Sequence, residues 1–482
     1  EDALRAAPAR AKDVNVVAGP AGTVWTGEVV ADTSTTSAGA IVADRFFVDV
    51  PDVDFMYPGD VLHYYIQATD SDGRTTTWPG NTDGFLDFSP GTPYSRSRTV
   101  RGLPTITDTA GTQPSILVWN DNGRRGGENE WLTGFAQLGY SEGVDYDSYT
   151  TQGPTSGVSN GLGSAGAHGA NADQLAGYNH MFYFAGNLAT FLLSNGSNVG
   201  NNDKGNDIDV MEQWHGLAGT RNVAYFGDFI ATAMVNDSAE GLAYLGATMG
   251  VAYGDADVRD VIGGQTAPLV VPNAGGPYAG AFATDYIAYG GCIGINQFDQ
   301  IQPATGAAAG HLFTDASGNP IPENPDPQLG GVASVINPTA NGLDITLPYG
   351  QVYVRTPAAR AVNLSARTLL FQEILGLFVA PGPGGPAVSA PTKVDALLSV
   401  WPNPFNPMTT VKFTAPIGSK GSVKVFNLRG ELVKTLHSGE FQTQTFTWNG
   451  TDNRGASVAS GVYVIQAQGG GKVLTKKAAL VK

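Results

Sequence analysis

Ser115-Ile116-Leu117-Val118-Trp119-Asn120-Asp121-Asn122-Gly123 is the stretch that decides the fold of the largest part of this 482-residue chain. Four consecutive apolar residues follow a polar lead-in that contains proline, and they end abruptly in Asn-Asp-Asn-Gly. An apolar run without alternation is typical of a strand buried on both faces, and its polar, glycine-containing end predicts a tight loop. The stretch therefore predicts the opening strand of a parallel α/β sheet.

Helical and strand patterns alternate after this opening strand. The predicted elements are a helix over 129–138, a strand over 146–149, a strand over 178–184, a helix capped by Asp207 that runs through Trp214, a strand over 222–228 and a closing helix over 363–378. Strand and helix in alternation predict a doubly wound α/β domain over residues 112–380. A linker rich in proline and glycine follows over 381–394.

Composition is typical of a loop-rich protein that is secreted or surface-exposed. Glycine (64 residues) and proline (29 residues) are frequent, whereas charged residues make up only 15%. No apolar run approaches the roughly 18 residues of a membrane span. The chain begins at Glu1 and has no apolar signal core, so either a signal or pro-segment has been removed or the chain is a fragment of a longer polypeptide.

Charge is divided unevenly along the chain. Residues 395–482 hold ten Lys and Arg against four Asp and Glu, a net charge of +6, which leaves −22 for residues 1–394. The acidic part argues against a nucleic-acid partner, because phosphate binding needs a basic face. An acidic body with a basic end could attract neighbouring copies head to tail, or the two parts could simply differ in ancestry.

Short strand-like runs separated by polar turns occupy residues 14–105, after a lead-in over 1–13. Strands at this spacing predict an antiparallel β-sandwich. The segment 58–73, from Pro58-Gly59-Asp60 to Asp70-Ser71-Asp72-Gly73, resembles paired strands of immunoglobulin-like or fibronectin-III-like modules in large bacterial secreted proteins. Such a resemblance implies a fold and says little about function.

The most specific motifs of the chain lie in residues 395–482. They are Trp401-Pro402-Asn403-Pro404-Phe405-Asn406-Pro407, Val423-Lys424-Val425-Phe426-Asn427-Leu428-Arg429-Gly430, Trp448-Asn449-Gly450-Thr451-Asp452-Asn453-Arg454-Gly455, Ser460-Gly461-Val462-Tyr463 and Thr475-Lys476-Lys477-Ala478-Ala479-Leu480-Val481-Lys482. Together they resemble the Ig-like domain at the end of flagellar hook-capping proteins, which is similar to the type IX secretion sorting domain. The resemblance implies a seven-stranded sandwich and an extracellular destination.

The middle domain carries a second resemblance. Ile116-Leu117-Val118 with Asp121-Asn122-Gly123, the run 178–186 and Gly227-Asp228 are similar to flavodoxin-like or glutamine-amidotransferase-like α/β domains of secreted peptidases, including the gingipain-like group. The predicted fold class is thus multidomain α/β plus all-β, with a central doubly wound α/β domain between two Ig-like β-sandwiches.

Cys292, the single cysteine, is the sharpest candidate for catalysis. Gly290-Gly291-Cys292-Ile293-Gly294 matches a nucleophile elbow, where small neighbours permit a strained turn. The pattern also requires a helix directly after the cysteine, and residues 295–299 have no helical pattern. It further requires a downstream histidine with a carboxylate two residues later, and neither His311 nor His437 has one. Cys292 is therefore predicted to be a small buried residue. Because it is the single cysteine, intrachain disulfides and cysteine-rich metal sites are excluded.

Histidines and carboxylates give no stronger constellation. His168, His180 and His215 could serve as a base, but no pair has metal-ligand spacing. Three groups of aspartates could supply oxygen ligands to Ca²⁺: Asp203, Asp207 and Asp209; Asp255, Asp257 and Asp260; and Asp70 with Asp72. Structural roles are the stronger interpretation, with Asp207 as a helix cap, Asp70 and Asp72 as turn formers, and Asp260 paired with Arg259 or Arg221. No catalytic, cofactor or metal residue is predicted.

Three hypotheses follow from these patterns. The leading one is a secreted or cell-surface bacterial structural protein that is not an enzyme and that forms homopolymers, or binds other surface proteins, through its Ig-like domains. The second is the non-catalytic C-terminal portion of a gingipain-like cysteine peptidase or another secreted hydrolase. The third is an adhesin, for which the aromatic residues Trp78, Tyr94, Tyr278 and Tyr286 are predicted to be exposed.

Overall fold

A computed structural model gives the architecture of two compact units, Glu1–Pro391 and Thr392–Lys482, which are described separately. The structure describes residues 15–19, 22–26, 31–36, 39–47, 59–88, 94–106, 112–151, 161–163, 169–196, 205–289, 297–357, 364–379, 388–389, 398–401, 403, 405–413, 420–441, 445–469 and 472–481. Strand residues outnumber helical residues across these ranges.

The first unit contains both strands and helices. Its strands are β1 (Asn15–Gly19), β2 (Gly22–Thr26), β3 (Asp32–Thr35), β4 (Ile41–Phe47), β5 (Val61–His63), β6 (Ile66–Thr69), β7 (Thr75–Trp78), β8 (Thr99–Arg101), β9 (Thr112–Gln113), β10 (Ile116–Asn120), β11 (Tyr146–Thr150), β12 (His180–Gly186), β13 (Asn222–Gly227), β14 (Val251–Asp255), β15 (Leu269–Pro272), β16 (Tyr286–Ala288), β17 (Gln300–Pro303), β18 (Ala308–Phe313), β19 (Val332–Pro338), β20 (Leu343–Leu347), β21 (Val354–Arg355) and β22 (Val388–Ser389). Its helices are α1 (Glu128–Gln137), α2 (Ala172–Leu175), α3 (Asp207–His215), α4 (Ile230–Asp237), α5 (Ala239–Ala247) and α6 (Ala366–Leu377). Short 3₁₀ turns cover Arg96–Arg98, Val258–Asp260 and Gln351–Tyr353.

One large mixed sheet organises this unit, and the predicted opening strand lies inside it. Strand β10 is buried along its whole length and pairs in parallel with β11 on one side and β12 on the other. Strands β13 and β20 continue the parallel part. The predicted helices over 129–138 and 363–378 and the strands over 146–149, 178–184 and 222–228 are confirmed within a few residues.

Helices cover both faces of the parallel strands. Ile116 and Val118 pack with one buried cluster that includes helices α1 and α6, whereas Leu117 and Trp119 pack with a second cluster that includes α3, α4 and α5. Successive side chains of a strand point to opposite faces, so the two clusters lie on opposite sides of the sheet. Burial on both sides explains why β10 has no polar alternation.

The second half of the sheet is antiparallel. Beyond β20 the order is β19, β18, β15, β16 and β21, and β17 joins β14 to β19. Across the described ranges the sheet has twelve strands. The sheet predicted for 112–380 to be predominantly parallel is therefore mixed. The sequence pattern could not show this, because a strand buried on both faces has the same apolar pattern whichever way its neighbours run.

The N-terminal strands pair as separate antiparallel ladders in the described part of 15–106: β1 with β2, β3 with β4, β5 with β8, and β6 with β7. The sandwich over 14–105 stays a prediction. Arg96 links this region to the segment that precedes β11, since its Nε donates to Glu142 Oε2 at 2.8 Å. Strand β22 lies within the predicted linker and pairs with β9. The domain therefore extends past residue 380.

The second unit is a small β-sandwich. Its strands are β23 (Leu398–Trp401), β24 (Thr409–Phe413), β25 (Lys420–Asn427), β26 (Leu432–Glu440), β27 (Thr445–Trp448), β28 (Gly461–Gly469) and β29 (Lys472–Leu480). They form a three-stranded sheet, β23-β24-β27, and a four-stranded sheet, β26-β25-β28-β29. Val411, Val425, Trp448 and Ile465 are fully buried between them. The seven strands implied by the C-terminal motifs are all found among its described residues.

Candidate functional site at the carboxyl edge of the parallel strands

Ligands of open α/β sheets bind outside the carboxyl ends of the strands, where the strand order reverses. In this sheet the reversal occurs at β10, because β11 and β12 lie on opposite sides of it. Polar residues and glycines lie at or just after the ends of β10, β12 and β13, namely Asn120-Asp121-Asn122, Gly186 and Asp228. This edge is therefore the place to look for chemistry.

The side chain of Asn122 fills the crevice between β10 and β12. A Cβ atom on Gly186 would lie 2.5 Å from Asn122 Cγ, and Gly186 has a φ of +61°, so only glycine permits this packing. Asn122 is 8% exposed, and its Nδ2 donates to the Gly126 carbonyl at 3.1 Å. The amide of Asn122 is therefore packed into this edge of the sheet.

Asp228, at the end of β13, is also committed to the backbone. It is completely buried, and its Oδ1 accepts a hydrogen bond from the Gly350 N–H at 2.8 Å. Burial raises the pKa of Asp228 well above its usual value, and the bond from Gly350 opposes the rise. This contact joins the end of β13 to the segment that follows β20.

Asp299 caps a helix that is distant in sequence. Helix α4 has Phe229 at its N-cap, which makes no side-chain cap bond. Asp299 Oδ2 accepts instead from the N–H groups of Ala231 (2.7 Å) and Thr232 (3.1 Å), and the Thr232 hydroxyl donates to Oδ1 at 2.6 Å. Burial raises the pKa of Asp299 to about 7, although these three bonds oppose the rise.

Two further aspartates stabilise loops at the same edge. Tyr183 donates to Asp121 Oδ2 at 2.8 Å. Asp207 accepts from the Gly163 N–H at 2.8 Å and from the Ser194 N–H at 3.3 Å. The prediction that Asp207 caps α3 is wrong, because the N-cap is Asn206, whose side chain accepts from Asp209 N–H, and Asp207 is buried within the first turn.

A strained segment follows β12. Phe191 (φ 58°) and Leu193 (φ 47°) adopt the left-handed conformation, which is uncommon for bulky residues. They line a cavity of about 20 Å³ together with residues of α4 and α5. That volume holds about one water molecule, so the cavity has no room for a substrate.

The predicted histidines do not meet one another. His180 Nδ1 accepts a hydrogen bond from the Asn222 side-chain amide (3.0 Å), and burial lowers the pKa of His180 to about 4. His311 lies beside Ser334 Oγ (2.8 Å), and burial lowers its pKa to about 3. His437 stacks on Phe441 in the second unit. Cys292 and His168 lie outside the described residues, so the Cys292 prediction stays a prediction.

His215 forms the one histidine–carboxylate pair found among the described residues. Its Nε2 lies 3.1 Å from Asp344 Oδ1, and Asp344 also accepts from the Tyr225 hydroxyl at 3.3 Å. Burial lowers the pKa of His215, but the charge of Asp344 and the hydrogen bonds to Asp344 and the Met211 carbonyl together outweigh burial, so the net effect is a raised pKa. Asp344 is the second residue of β20 and pairs with Val223, the second residue of β13. The His215–Asp344 pair therefore lies at the amino edge of the parallel strands, away from the crevice.

The aspartate groups considered for Ca²⁺ have structural roles. Asp70 Oδ1 accepts from the N–H groups of Asp72 and Arg74, which confirms a turn former. Arg259 pairs with Asp257 at 3.0 Å, so the predicted pairing of Asp260 with Arg259 or Arg221 is wrong. No cluster of three or more His, Cys, Asp or Glu side chains suited to a metal occurs in the described part of the chain. Asp203 lies outside it.

The four aromatic residues predicted to be exposed differ in their actual exposure. Trp78 is 60% exposed, whereas Tyr286 is completely buried and hydrogen-bonded to Tyr349. Tyr94 and Tyr278 are partly buried. The predicted exposure of Tyr286 is wrong, because β16 lies inside the large sheet between β15 and β21.

Comparison with known families identifies the C-terminal motifs. The family model of the FlgD Ig-like domain matches residues 408–472, which confirms the resemblance predicted for this segment. The match covers strands of both sheets of the second unit. No curated protein matches the chain.

Solved structures give weaker likenesses. The chain is 18% identical to dimeric latent PorU from Porphyromonas gingivalis over 17% of this chain and 9% of that chain, with a TM-score of 0.15. It is 16% identical to PorZ, a surface component of the type IX secretion system of the same bacterium, over 41% of this chain and 21% of that chain (TM-score 0.16). It is 11% identical to the cytoplasmic protein STM3548 from Salmonella typhimurium over 55% and 98% of the two chains (TM-score 0.33). The matched parts are thus about a tenth of PorU and about a fifth of PorZ. At these scores the likenesses carry no conclusion about fold or activity.

In the ranges that are described, no helix has the length and apolar character to cross a membrane.

Proposed function

We propose that this chain is a secreted or cell-surface bacterial structural protein without a catalytic site of its own, and that it assembles with itself through its Ig-like modules. The FlgD Ig-like match at 408–472 is the observation that carries the proposal, because domains of this kind resemble modules of exported proteins. The proposal also assigns the parallel strands, with helices on both faces, to a flavodoxin-like body that serves as a scaffold.

The chemistry of the carboxyl edge supports a non-catalytic body. General acid–base catalysis needs a carboxylate or histidine that can reach a substrate proton. Asp228 and Asp299 are completely buried and bind backbone N–H groups of their own fold. Asn122 is packed against Gly186 in the crevice and is 8% exposed. Side chains used in this way hold loops and helices in place.

Assembly is tested on the purified full chain by light scattering and negative-stain microscopy over a range of concentrations. We expect ordered polymers or sheets whose mass rises with concentration. A monomer at every concentration would overturn self-assembly. Export is tested by adding protease to intact cells of the source bacterium, where an exposed protein is degraded and an internal one is protected.

Catalysis is tested separately with Cys292→Ser. We expect the wild type and this variant to be equally inactive on peptide and saccharide substrates. A hydrolase activity that the substitution abolishes would refute the non-catalytic assignment.

A further inference from the structure

Exposed apolar side chains concentrate at the two ends of the chain. Of sixteen large apolar side chains exposed among the described residues, seven lie in the N-terminal strand region 41–100, six lie in the second unit, and only three lie in the intervening part that contains the large sheet. Scattered exposed apolar residues are normal, but a contiguous group marks an interaction surface. Both terminal modules therefore merit attention as contact surfaces.

In the second unit, exposed apolar residues lie on the outer face of the four-stranded sheet, here called the tail face. Val425 and Ile465 are buried, so their neighbours Lys424, Phe426, Val462 and Val464 point to the opposite side of the sheet. Phe426 pairs directly with Leu432 on β26 and with Val464 on β28, and Val464 pairs with Lys477 on β29. One row of three apolar residues and a lysine thus crosses all four strands.

Exposure and charge are both present on the tail face. Leu432 is 48% exposed and Val462 is 39% exposed. Lys424 lies one row away from Phe426, and Lys477 is exposed at the end of the apolar row. The tail face is therefore an apolar strip with positive charge beside it.

In the N-terminal strand region, exposed apolar residues lie on the hairpin of β6 and β7, here called the head hairpin (residues 66–78). Ile66 pairs directly with Trp78, and these side chains are 51% and 60% exposed. All four residues of β6 and three of four in β7 are exposed, so the hairpin buries little on either face. The guanidinium carbon of Arg98 lies 3.3 Å from the centroid of the Trp78 ring and holds that ring in place.

Charge makes the two modules complementary. Residues 14–105 contain eleven acidic and five basic residues, a net charge of −6, whereas residues 395–482 carry +6. Two modules of like charge would repel each other, whereas modules of opposite charge on neighbouring copies attract each other and associate faster. The turn of the head hairpin carries Asp70 and Asp72, which pair with Arg74 at 3.8 Å and 3.3 Å, so the hairpin itself has a net charge of −1.

We propose that the tail face of one copy packs on the head hairpin of the next copy. This inference rests on the proposed self-assembly and specifies its interface. The two surfaces differ from each other, so the contact is heterologous, and repeating it builds an open filament or a ring rather than a closed dimer. The apolar row of Phe426, Leu432 and Val464 meets Ile66 and Trp78, and the basic tail face meets the acidic head module.

Four variants of the full chain test the proposal. Lys424→Glu with Lys477→Glu reverses the charge of the tail face, and its matched control, Lys412→Glu with Arg454→Glu, makes the same charge change on the other sheet and in a turn. Ile66→Lys impairs the head hairpin, and its matched control, Leu242→Lys, makes the same change at an exposed position of helix α5. Circular dichroism and thermal melting confirm that each variant folds.

Light scattering and negative-stain microscopy then separate the outcomes. We expect the tail and head variants to need about tenfold higher concentration to assemble, and the two controls to assemble as the wild type does. We also expect an equimolar mixture of the tail and head variants to give a heterodimer, because each supplies the intact surface that the other lacks. That heterodimer is the signature of a heterologous contact.

Failure has two distinguishable forms. If the wild type itself never assembles, the proposed self-assembly falls and this inference falls with it. If the wild type assembles and the tail and head variants assemble equally well, or if their mixture stays monomeric while each single variant forms dimers alone, the head-to-tail interface is refuted and self-assembly through another surface survives.

Discussion

Replacing Asp299 with asparagine should flatten the dependence of stability on pH. In the folded state burial raises the pKa of Asp299 to about 7, whereas an unfolded aspartate titrates near 3.8. The folded protein therefore retains a proton that the unfolded chain releases between these values. The resulting stabilisation is complete below the unfolded pKa and is lost as pH rises through the folded pKa.

The size of the effect follows from the difference in pKa. A shift of one unit corresponds to about 1.36 kcal/mol, so the full contribution is about 4 kcal/mol, and about 2.5 kcal/mol of it is lost between pH 5 and pH 8. Asp299→Asn keeps an oxygen acceptor for the N–H groups of Ala231 and Thr232 but cannot titrate. The variant should therefore gain about 2.5 kcal/mol of stability relative to the wild type between pH 5 and pH 8.

The assay compares urea unfolding of the two proteins at pH 5, 6, 7 and 8, with hydrogen exchange of helix α4 as the local readout. Buried groups that do not interact with Asp299 titrate in both proteins and cancel in the difference, whereas the pKa of Asp228 falls in the variant because the charge of Asp299 helps to raise it. Asp315→Asn is the control, because Asp315 is exposed and its pKa is lowered by the N–H groups of its own turn. A wild-type-to-variant difference that stays constant from pH 5 to pH 8 would refute the assignment.

Three further substitutions test other parts of the fold. Gly186→Ala places a Cβ in the crevice at positive φ and should lower the free energy of unfolding by about 3 kcal/mol, whereas Gly246→Ala, which meets nothing within 4 Å in helix α5, should raise it by about 0.5 kcal/mol. Asp344→Asn removes the charge that raises the pKa of His215, so that pKa should fall in an NMR titration, and the variant should lose about 3 kcal/mol at pH 6. Arg221→Lys cannot replace a buried guanidinium that donates to five backbone carbonyls, and it should cost about 3 kcal/mol in urea unfolding.

Each of these has a result that would contradict it. Equal effects of the two glycine substitutions would mean that the crevice is not tightly packed. A His215 pKa that does not respond to Asp344→Asn would show that the pair is not coupled. An Arg221→Lys variant as stable as the wild type would mean that the carbonyls find water.

Short-range features of this protein were predictable from the sequence. Four turns share one pattern, in which Asp or Asn is followed three residues later by glycine: Asp70 with Gly73, Asp315 with Gly318, Asn427 with Gly430, and Asp452 with Gly455. In each turn the first side chain accepts from N–H groups two and four residues ahead, and the glycine has positive φ. All partners lie within five residues, so local sequence contains the whole interaction.

The opening strand and the C-terminal sandwich were predictable for a related reason. An uninterrupted apolar run such as 116–119 has to be buried on both faces, and the motifs of the second unit fill a single small core. The order in which strands pair was not predictable, because buried parallel and antiparallel strands have the same apolar composition.

The roles of the buried aspartates were decided by tertiary structure alone. Asp207 was predicted to cap the helix beside it, yet it binds Gly163 and Ser194, and the cap is Asn206. Asp299 caps a helix that begins 69 residues earlier in the chain, at Ile230. By itself the sequence indicated where many strands, helices and turns lie, since those depend on partners a few residues apart, although helices α4 and α5 were not predicted. Which carboxylate is buried, and which backbone N–H it binds, depends on chain segments that meet only after the sheet has formed, so that information is not contained in any local pattern.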